Sequence, residues 1–332
     1  MYNLLKLSKQ EFNAIIINTA AKKGMSSAIV EKDFWVCITL DYLFHHSKWK
    51  EHFAFKGGTC LSKVYHLIER FSEDIDLILD WRVLGYKNNE PWEERSNTKQ
   101  LKFIKESKSR MYSFLSDEFL PEFKTGMSKL LGFEINAFIE DSDPGSVMFA
   151  YPSSFSDSSI LKVIKLEIGI LSSWEPLILG TIKTFVAEEY PQIVAQSEVN
   201  LLATTPERTF WEKVTILHQE AFRPEGSLMP LRYSRHYYDV YCMCKNGVDK
   251  KAINQIDLLE DVAIFKIKFY PRGWARYDLA KPGSLKLLPA SHSLDRLHKD
   301  YFDMKSMIYG EYPSFDEILK MIKTLETKIN SI

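Results

Sequence analysis

Apolar and polar positions follow two periodicities along this chain, and the switch between them outlines its elements. A segment from a cap at Ser8 to Gly24, and a second opening at Ser26 or Ser27 with Trp35, Ile38 and Tyr42 at helical spacing, predict two helices within the first 45 residues. A helix of about three turns is predicted over Cys60–Arg70, and another over Thr98–Phe119 after the polar run 87–97. Strand-like alternation then takes over. Phe133, Ile135, Ala137 and Ile139 alternate with Glu134, Asn136, Phe138 and Glu140, and Asp143-Pro144-Gly145 predicts a turn into Val147–Tyr151, followed by a serine-rich loop. From Leu161 to Ile170, Ile164, Leu166 and Ile168 share one strand face while Val163, Lys165 and Glu167 share the other. Thr181–Ala187 reads as extended; beyond Tyr190-Pro191 the pattern is mainly helical. Thr204 or Thr205 with Pro206 starts one helix, with Phe210, Val214 and Leu217 on its core face. Further helices are predicted from near Tyr233, over Ile256–Tyr270, and around Leu294–Met307 and Phe315–Ile329.

These elements predict an α/β (α+β) fold in two parts. Residues 1–200 would hold a mixed β-sheet flanked by helices, and residues 201–332 a mainly helical domain. A hydrophobic fraction of 45% and a charged fraction of 26% suit a folded domain and argue against disorder. The net charge of -1 provides no global field for nucleic acid, so any such contact has to come from a local patch. Lys99, Lys102, Lys105 and Lys108, with Arg110, trace a basic stripe that reads equally as a polyanion surface or a solvated helix face. Cys37, Cys60, Cys242 and Cys244 lack disulfide or zinc spacing, which points to reduced thiols and a cytoplasmic protein. No run approaches eighteen apolar residues, and neither a secretion signal nor a membrane span is expected.

The densest chemistry lies between Phe55 and Leu79. Asp74 and Asp76 stand two apart in an Ile/Leu-rich run, so a strand projects both carboxylates from one face, about 6.5 Å apart at Cα. Hard oxygen donors so placed can share divalent cations such as Mg²⁺ and offset the charge of a nucleoside triphosphate. Gly57 and Gly58 allow the backbone to approach a phosphate, and Thr59 is positioned to cap the following helix and touch that anion. A structural turn followed by solvated acids is the plainer alternative.

These residues also carry a resemblance. Gly57-Gly58-Thr59 and Arg70-Phe71-Ser72-Glu73-Asp74-Ile75-Asp76-Leu77 occur with Glu31-Lys32-Asp33-Phe34-Trp35-Val36, Lys165-Leu166-Glu167-Ile168-Gly169, Thr205-Pro206-Glu207-Arg208-Thr209-Phe210-Trp211-Glu212-Lys213 and Arg235-His236-Tyr237-Tyr238-Asp239-Val240-Tyr241. In this order, over nearly the whole chain, the blocks resemble those of the AbiEii-type nucleotidyltransferase toxins of the polymerase-β-like superfamily. Thr59 where many members have Ser, and the long spacer from Thr59 to Asp74, are departures that leave the acidic pair intact.

The resemblance implies a nucleotidyltransferase core in residues 1–200 and a C-terminal domain closing the cleft. It implies two Mg²⁺ on Asp74, Asp76 and Glu167, with a nucleoside triphosphate as substrate and Gly57, Gly58, Thr59 and Ser72 among the nucleotide-contacting residues. It also implies Lys213 and Arg235 on the triphosphate, and Asp239 orienting one of those cations. A cross-strand ion pair with lysine is the structural alternative for Glu167, whose weaker rivals for the third seat are Asp80, Glu134 and Asp143. For Lys213 the alternative is packing beside Glu212; for Asp239 it is an i,i+4 pair with Arg235. Glu31, Lys32 and Asp33 read as surface or interdomain ion pairs, which the resemblance marks as a hallmark block without a chemical task, and His218 reads as a packed histidine. Aromatic and basic residues of the 270–286 loop would stack on an RNA end or form a flap. An RNA acceptor, tRNA by resemblance, and an antitoxin encoded nearby complete this expectation. A small-molecule nucleotidyltransferase of the aminoglycoside-modifying kind and a nonenzymatic nucleotide-binding module are its rivals.

Overall fold

Ser8 starts the first helix as its spacing predicts. Its hydroxyl accepts from the Glu11 amide while the Glu11 carboxylate accepts from the Ser8 amide, a reciprocal box that begins α1 (Lys9–Lys23), and Gly24 ends the helix at φ 64°. Ser26 caps α2 (Ser27–Asp41), which is buried on nearly every side. The computed structural model describes residues 1–157, 160–170 and 176–332; the serine-rich loop lies partly outside that set, at 158 and 159. Contacts divide the described chain into two compact units, Met1–Val64 with Phe71–Ala203, and Tyr65–Arg70 with Thr204–Ile332.

The first unit is built on β1 (Phe53–Lys56), α3 (Gly57–Lys63), β2 (Asp74–Leu79), α4 (Asn97–Phe114), α5 (Leu120–Leu131), β3 (Asn136–Glu140), β4 (Asp143–Ala150), β5 (Ile164–Gly169), β6 (Leu177–Ile182), α6 (Phe185–Glu189) and β7 (Val199–Thr204). Among the described residues, seven strands form one mixed sheet in the order β3-β4-β5-β2-β1-β7-β6. β1 runs antiparallel to β2, and β2 runs parallel to β5, so the two chemically loaded strands lie side by side. Ile75 and Leu77 pair with Leu166 and Ile168 on the buried face, which is what the alternation predicts.

Several elements differ from the sequence expectation, among them β7, which lies where the pattern reads as mainly helical, and β3, which starts at Asn136 and not at Phe133. The predicted Cys60–Arg70 helix starts at Gly57 and stops at Lys63, and His66 adopts φ 51°, a left-handed conformation no helix contains. Asp143-Pro144-Gly145 belongs to β4, because the hairpin turns one step earlier and a register shift between Phe138 and Glu140 absorbs the difference. Thr181–Ala187 splits into the end of β6 and α6, whose first turn is capped by Thr184 accepting from the Ala187 amide. Beyond α4 the chain continues through one wide turn into α5, where Pro121 falls in the first turn and so starts a helix instead of ending one.

In the second unit, Thr205 caps α7 (Pro206–Ala221) by accepting from the Arg208 amide. α8 (Arg235–Lys245), α9 (Val248–Ile253), α10 (Asp257–Phe269), α11 (Leu294–Asp303) and α12 (Phe315–Asn330) complete it. Phe210, Val214 and Leu217 are fully buried. No helix among the described residues is long and apolar enough to cross a membrane.

Candidate active site

In the first unit, strand register decides which side chains share a surface. Asp76 pairs with Lys56 on β1 and with Glu167 on β5, and Asp74 pairs with Lys165. Directly paired residues project to the same side, so Lys56, Asp74, Asp76, Lys165 and Glu167 form one polar patch, and all five are half-buried. The sheet's other face is apolar.

Gly57 meets this patch more intimately than a turn requires. Its φ is 80°, and a Cβ placed there would fall 1.9 Å from Asp76 Oδ2. The carboxylate therefore occupies the space that any side chain at 57 would need. Thr59 lies inside α3, not at its cap, and its hydroxyl donates to the Asp74 carbonyl at 2.5 Å and, at the longer distance of 3.4 Å, to the Ser72 carbonyl. Its observed role is to tie the helix to the acidic strand, a departure from the capping expected of it.

Glu167 is engaged by lysine. Lys165 Nζ lies 2.6 Å from Glu167 Oε1 and 2.9 Å from Asp143 Oδ2, so the partner is a neighbour on the same strand and Asp143 shares it. Those two carboxylates raise the lysine's proton affinity despite partial burial. Among the described residues no three His, Cys, Asp or Glu side chains converge into a ready metal cage. The donor set still has the right chemistry, since Asp74, Asp76 and Glu167 offer hard oxygens on one surface, with Glu167 available on leaving Lys165. Asp80 is held by Arg82 and His52, while Glu134 is exposed ahead of β3, which removes both from this patch.

The second unit gathers a separate charged cluster. Asp239, fully buried on α8, receives Arg70 Nε on Oδ1 and Nη2 on Oδ2, both at 2.7 Å, and Lys213 Nζ on Oδ2 at 2.6 Å. Burial alone would raise this carboxyl, but the two cations outweigh it and hold the acid well below the usual carboxylate range. Lys213 is buried, and that burial, with Arg70 and Arg235 nearby, lowers its proton affinity against the pull of Asp239. Arg235 is half-buried. Of the partners considered for Asp239 from sequence, Lys213 is bound directly; Arg70, which opens the Arg70–Leu77 block without a role, is the one sequence reasoning missed. Its only signal was its place ahead of Phe71-Ser72-Glu73-Asp74.

His236, beside this cluster, is kept neutral by burial and by Lys213 and Arg235, and its Nδ1 has no hydrogen-bond partner among the described residues. His218 is packed, as expected: its Nδ1 accepts from the Lys286 amide at 3.1 Å and its Nε2 donates to the Arg276 carbonyl at 2.9 Å. In the 270–286 loop, Trp274 faces the guanidinium groups of Arg223 and Arg272, at 5.0 and 6.0 Å from its ring. Lys99, Lys102, Lys105, Lys108 and Arg110 are exposed on α4.

Comparisons with known proteins bear on this arrangement. Structures similar to the chain include JHP933 of Helicobacter pylori (TM-score 0.45, 13% identity, covering 92% of this chain and 95% of that one). They also include MenT4, a nucleotidyltransferase toxin of Mycobacterium tuberculosis (TM-score 0.43, 13% identity, 96% and 98%), and a putative nucleotidyltransferase of Helicobacter pylori (0.41, 14%, 92% and 98%). No curated protein sequence matches the chain. The family described as "Nucleotidyl transferase AbiEii toxin, Type IV TA system" matches residues 41–321, a span that contains both the acidic patch and the Lys213–Asp239 cluster. With most of its length inside that match, the chain belongs to the AbiEii family and is a nucleotidyltransferase toxin of a type IV toxin–antitoxin system.

Proposed function

We propose that this toxin transfers a nucleoside monophosphate from a triphosphate to a hydroxyl of RNA, with the tRNA 3′ end as acceptor and pyrophosphate as the leaving group. The observation that carries the reading is the fit of the Asp76 carboxylate against Gly57, with Asp76 opposite Glu167 in the parallel pair. Asp74, Asp76 and Glu167 would hold Mg²⁺, probed most simply as a pair of ions, which would offset triphosphate charge and make the acceptor hydroxyl easier to deprotonate. Gly57 lets the Asp76 carboxylate close in on the turn, and Gly58 and Ser72, whose carbonyl accepts from the Thr59 hydroxyl, are the further nucleotide contacts. Within the second unit, Lys213 and Arg235 offer positive charge of the kind a triphosphate requires, and Asp239, held ionised by Arg70, fixes the Lys213 ammonium in place.

For the acceptor, the exposed cationic face of α4 favours a polyanion over a small molecule. Four free cysteines fit a reducing cytoplasm, and the type IV assignment brings an antitoxin encoded nearby. Incubation with labelled triphosphates, Mg²⁺, total RNA and aminoglycosides tests the assignment. RNA should be labelled by the wild type and not by Asp76→Ala, and growth inhibition should disappear with the same substitution. Transfer by Asp76→Ala at the wild-type rate would sink the metal assignment, and labelling of the small molecules alone would sink the acceptor.

A further inference from the structure

Helix α2 carries Glu31, Lys32 and Asp33 in succession, all buried, and each grips a different part of the first unit. Glu31 accepts from the Ser154 amide at 2.8 Å and the Phe155 amide at 3.2 Å. Asp33 Oδ1 lies 2.7 Å from Lys63 Nζ at the end of α3, and its Oδ2 accepts from the Phe185 amide at 2.7 Å. Lys32 Nζ donates to Glu73 Oε2 and to the Leu161 carbonyl, both at 2.9 Å, and Glu73 Oε2 also accepts from the Leu161 amide at 3.1 Å. The last set closes a triangle. Glu73 immediately precedes β2, and Leu161 stands three residues before β5.

β2 and β5 are parallel neighbours with residues 80–163 between them, so no tight turn fixes their register. The apolar face fixes it only in part. Sheet side chains repeat every two residues, so a two-residue slip leaves the same faces buried and the core satisfied. Such a slip would set Asp74 or Ile78 opposite Glu167 and carry Asp76 away from it, so Asp74, Asp76 and Glu167 would no longer meet in the observed arrangement. A tie between the starts of the two strands removes that freedom.

We propose that Lys32 and Glu73 are positioning residues for nucleotidyl transfer: by tying Glu73 to Leu161 they lock the β2–β5 register that sets Asp76 opposite Glu167. This rests on the reading that those two carboxylates carry the reaction. Stability alone does not account for the pair, since replacing a buried ion pair by apolar residues of similar volume is often neutral or stabilising.

The test is the double variant Lys32→Met/Glu73→Leu, with Glu73→Gln as a second variant that keeps volume and an acceptor for the Leu161 amide. The double variant should melt near the wild type, yet lose at least about 100-fold in kcat, since a misplacement of reacting groups by only about 1 Å already costs that much. It should also bind Mn²⁺ more weakly in the absence of nucleotide, read by electron paramagnetic resonance, and exchange β2 and β5 amide hydrogens faster. Glu73→Gln, and Lys32→Arg, should retain more of the Mn²⁺ affinity than the double variant. If the double variant does not fold, Glu73→Gln decides, with a weakened Mn²⁺ affinity in a folded protein supporting the pair. Unchanged Mn²⁺ affinity and unchanged exchange in the folded variants overturn the positioning role. Failure of the underlying reading looks different: Asp76→Ala would then bind Mn²⁺ and transfer nucleotide as well as the wild type.

Discussion

Gly57 shows how much a single residue can carry. Two costs meet at this position, the left-handed backbone at φ 80° and the Asp76 oxygen that would lie 1.9 Å from a Cβ. Gly85 shares the backbone, at φ 83°, with no atom within 4 Å of a Cβ, and so separates the two costs. Gly85→Ala should lose about 1–2 kcal/mol of stability, the usual cost of left-handed geometry in an L-residue, and keep its activity. Gly57→Ala should lose at least as much stability and also about 100-fold in kcat, because the carboxylate has to move by an ångström or so. Melting temperatures and steady-state kinetics of the two proteins check this, and equal activities would show that the Asp76 position is unimportant. Glycine here was legible in the sequence as a close-approach residue. What approaches it was not, since the contact comes from a strand whose path no local pattern fixes.

Legibility at the scale of elements follows from how local the cause is. α1, α2 and α7 were readable because a hydroxyl caps each within three residues of its start, a purely local bond. The Cys60–Arg70 helix was misread because Leu61, Val64 and Ile68 repeat like a helix face while the chain leaves the first unit after Val64, and periodicity does not say which core a residue enters. A lysine across the strands is the expected rival partner for Glu167; the structure supplies Lys165 of the same strand instead and has it bind Asp143 as well, a pairing no alternation pattern reveals. For α4 the sequence left a polyanion surface and a solvated face open, and experiment can choose. If the stripe tracks RNA phosphates, Lys99→Ala/Lys105→Ala/Lys108→Ala should raise KM for tRNA and lower the salt slope of binding by roughly 0.7–0.9 for each phosphate no longer neutralised. These side chains are exposed, so stability should change by no more than about 0.5 kcal/mol per site. A KM and salt slope identical to the wild type would assign α4 to solvent.

At the scale of the molecule, the second unit carries its own buried histidines. The boundary near Leu201 came from a helix start, and contacts place the change at Ala203 and Thr204, with Tyr65–Arg70 also assigned to the second unit. That short segment brings Arg70 to Asp239, a long-range ion pair no spacing rule reveals. The same unit holds His218 and His236, both with proton affinities lowered chiefly by burial. A base whose folded pKa is depressed leaves the unfolded chain binding more protons, so its stability is complete above about pH 6.5 and declines as the pH falls below that value. Each imidazole can contribute up to about 1.4 kcal/mol per pH unit in that window. Protonating His218 also removes the acceptor that holds the Lys286 amide. Urea denaturation followed by hydrogen exchange at pH 7.5 and 5.5 should therefore show the second unit losing stability on acidification, with Asp239 adding its own loss only at far lower pH. His218→Gln, which keeps a donor and an acceptor without titrating, should flatten part of that slope, and equal stability of the unit at both pH values would show that neither histidine is held neutral by the fold.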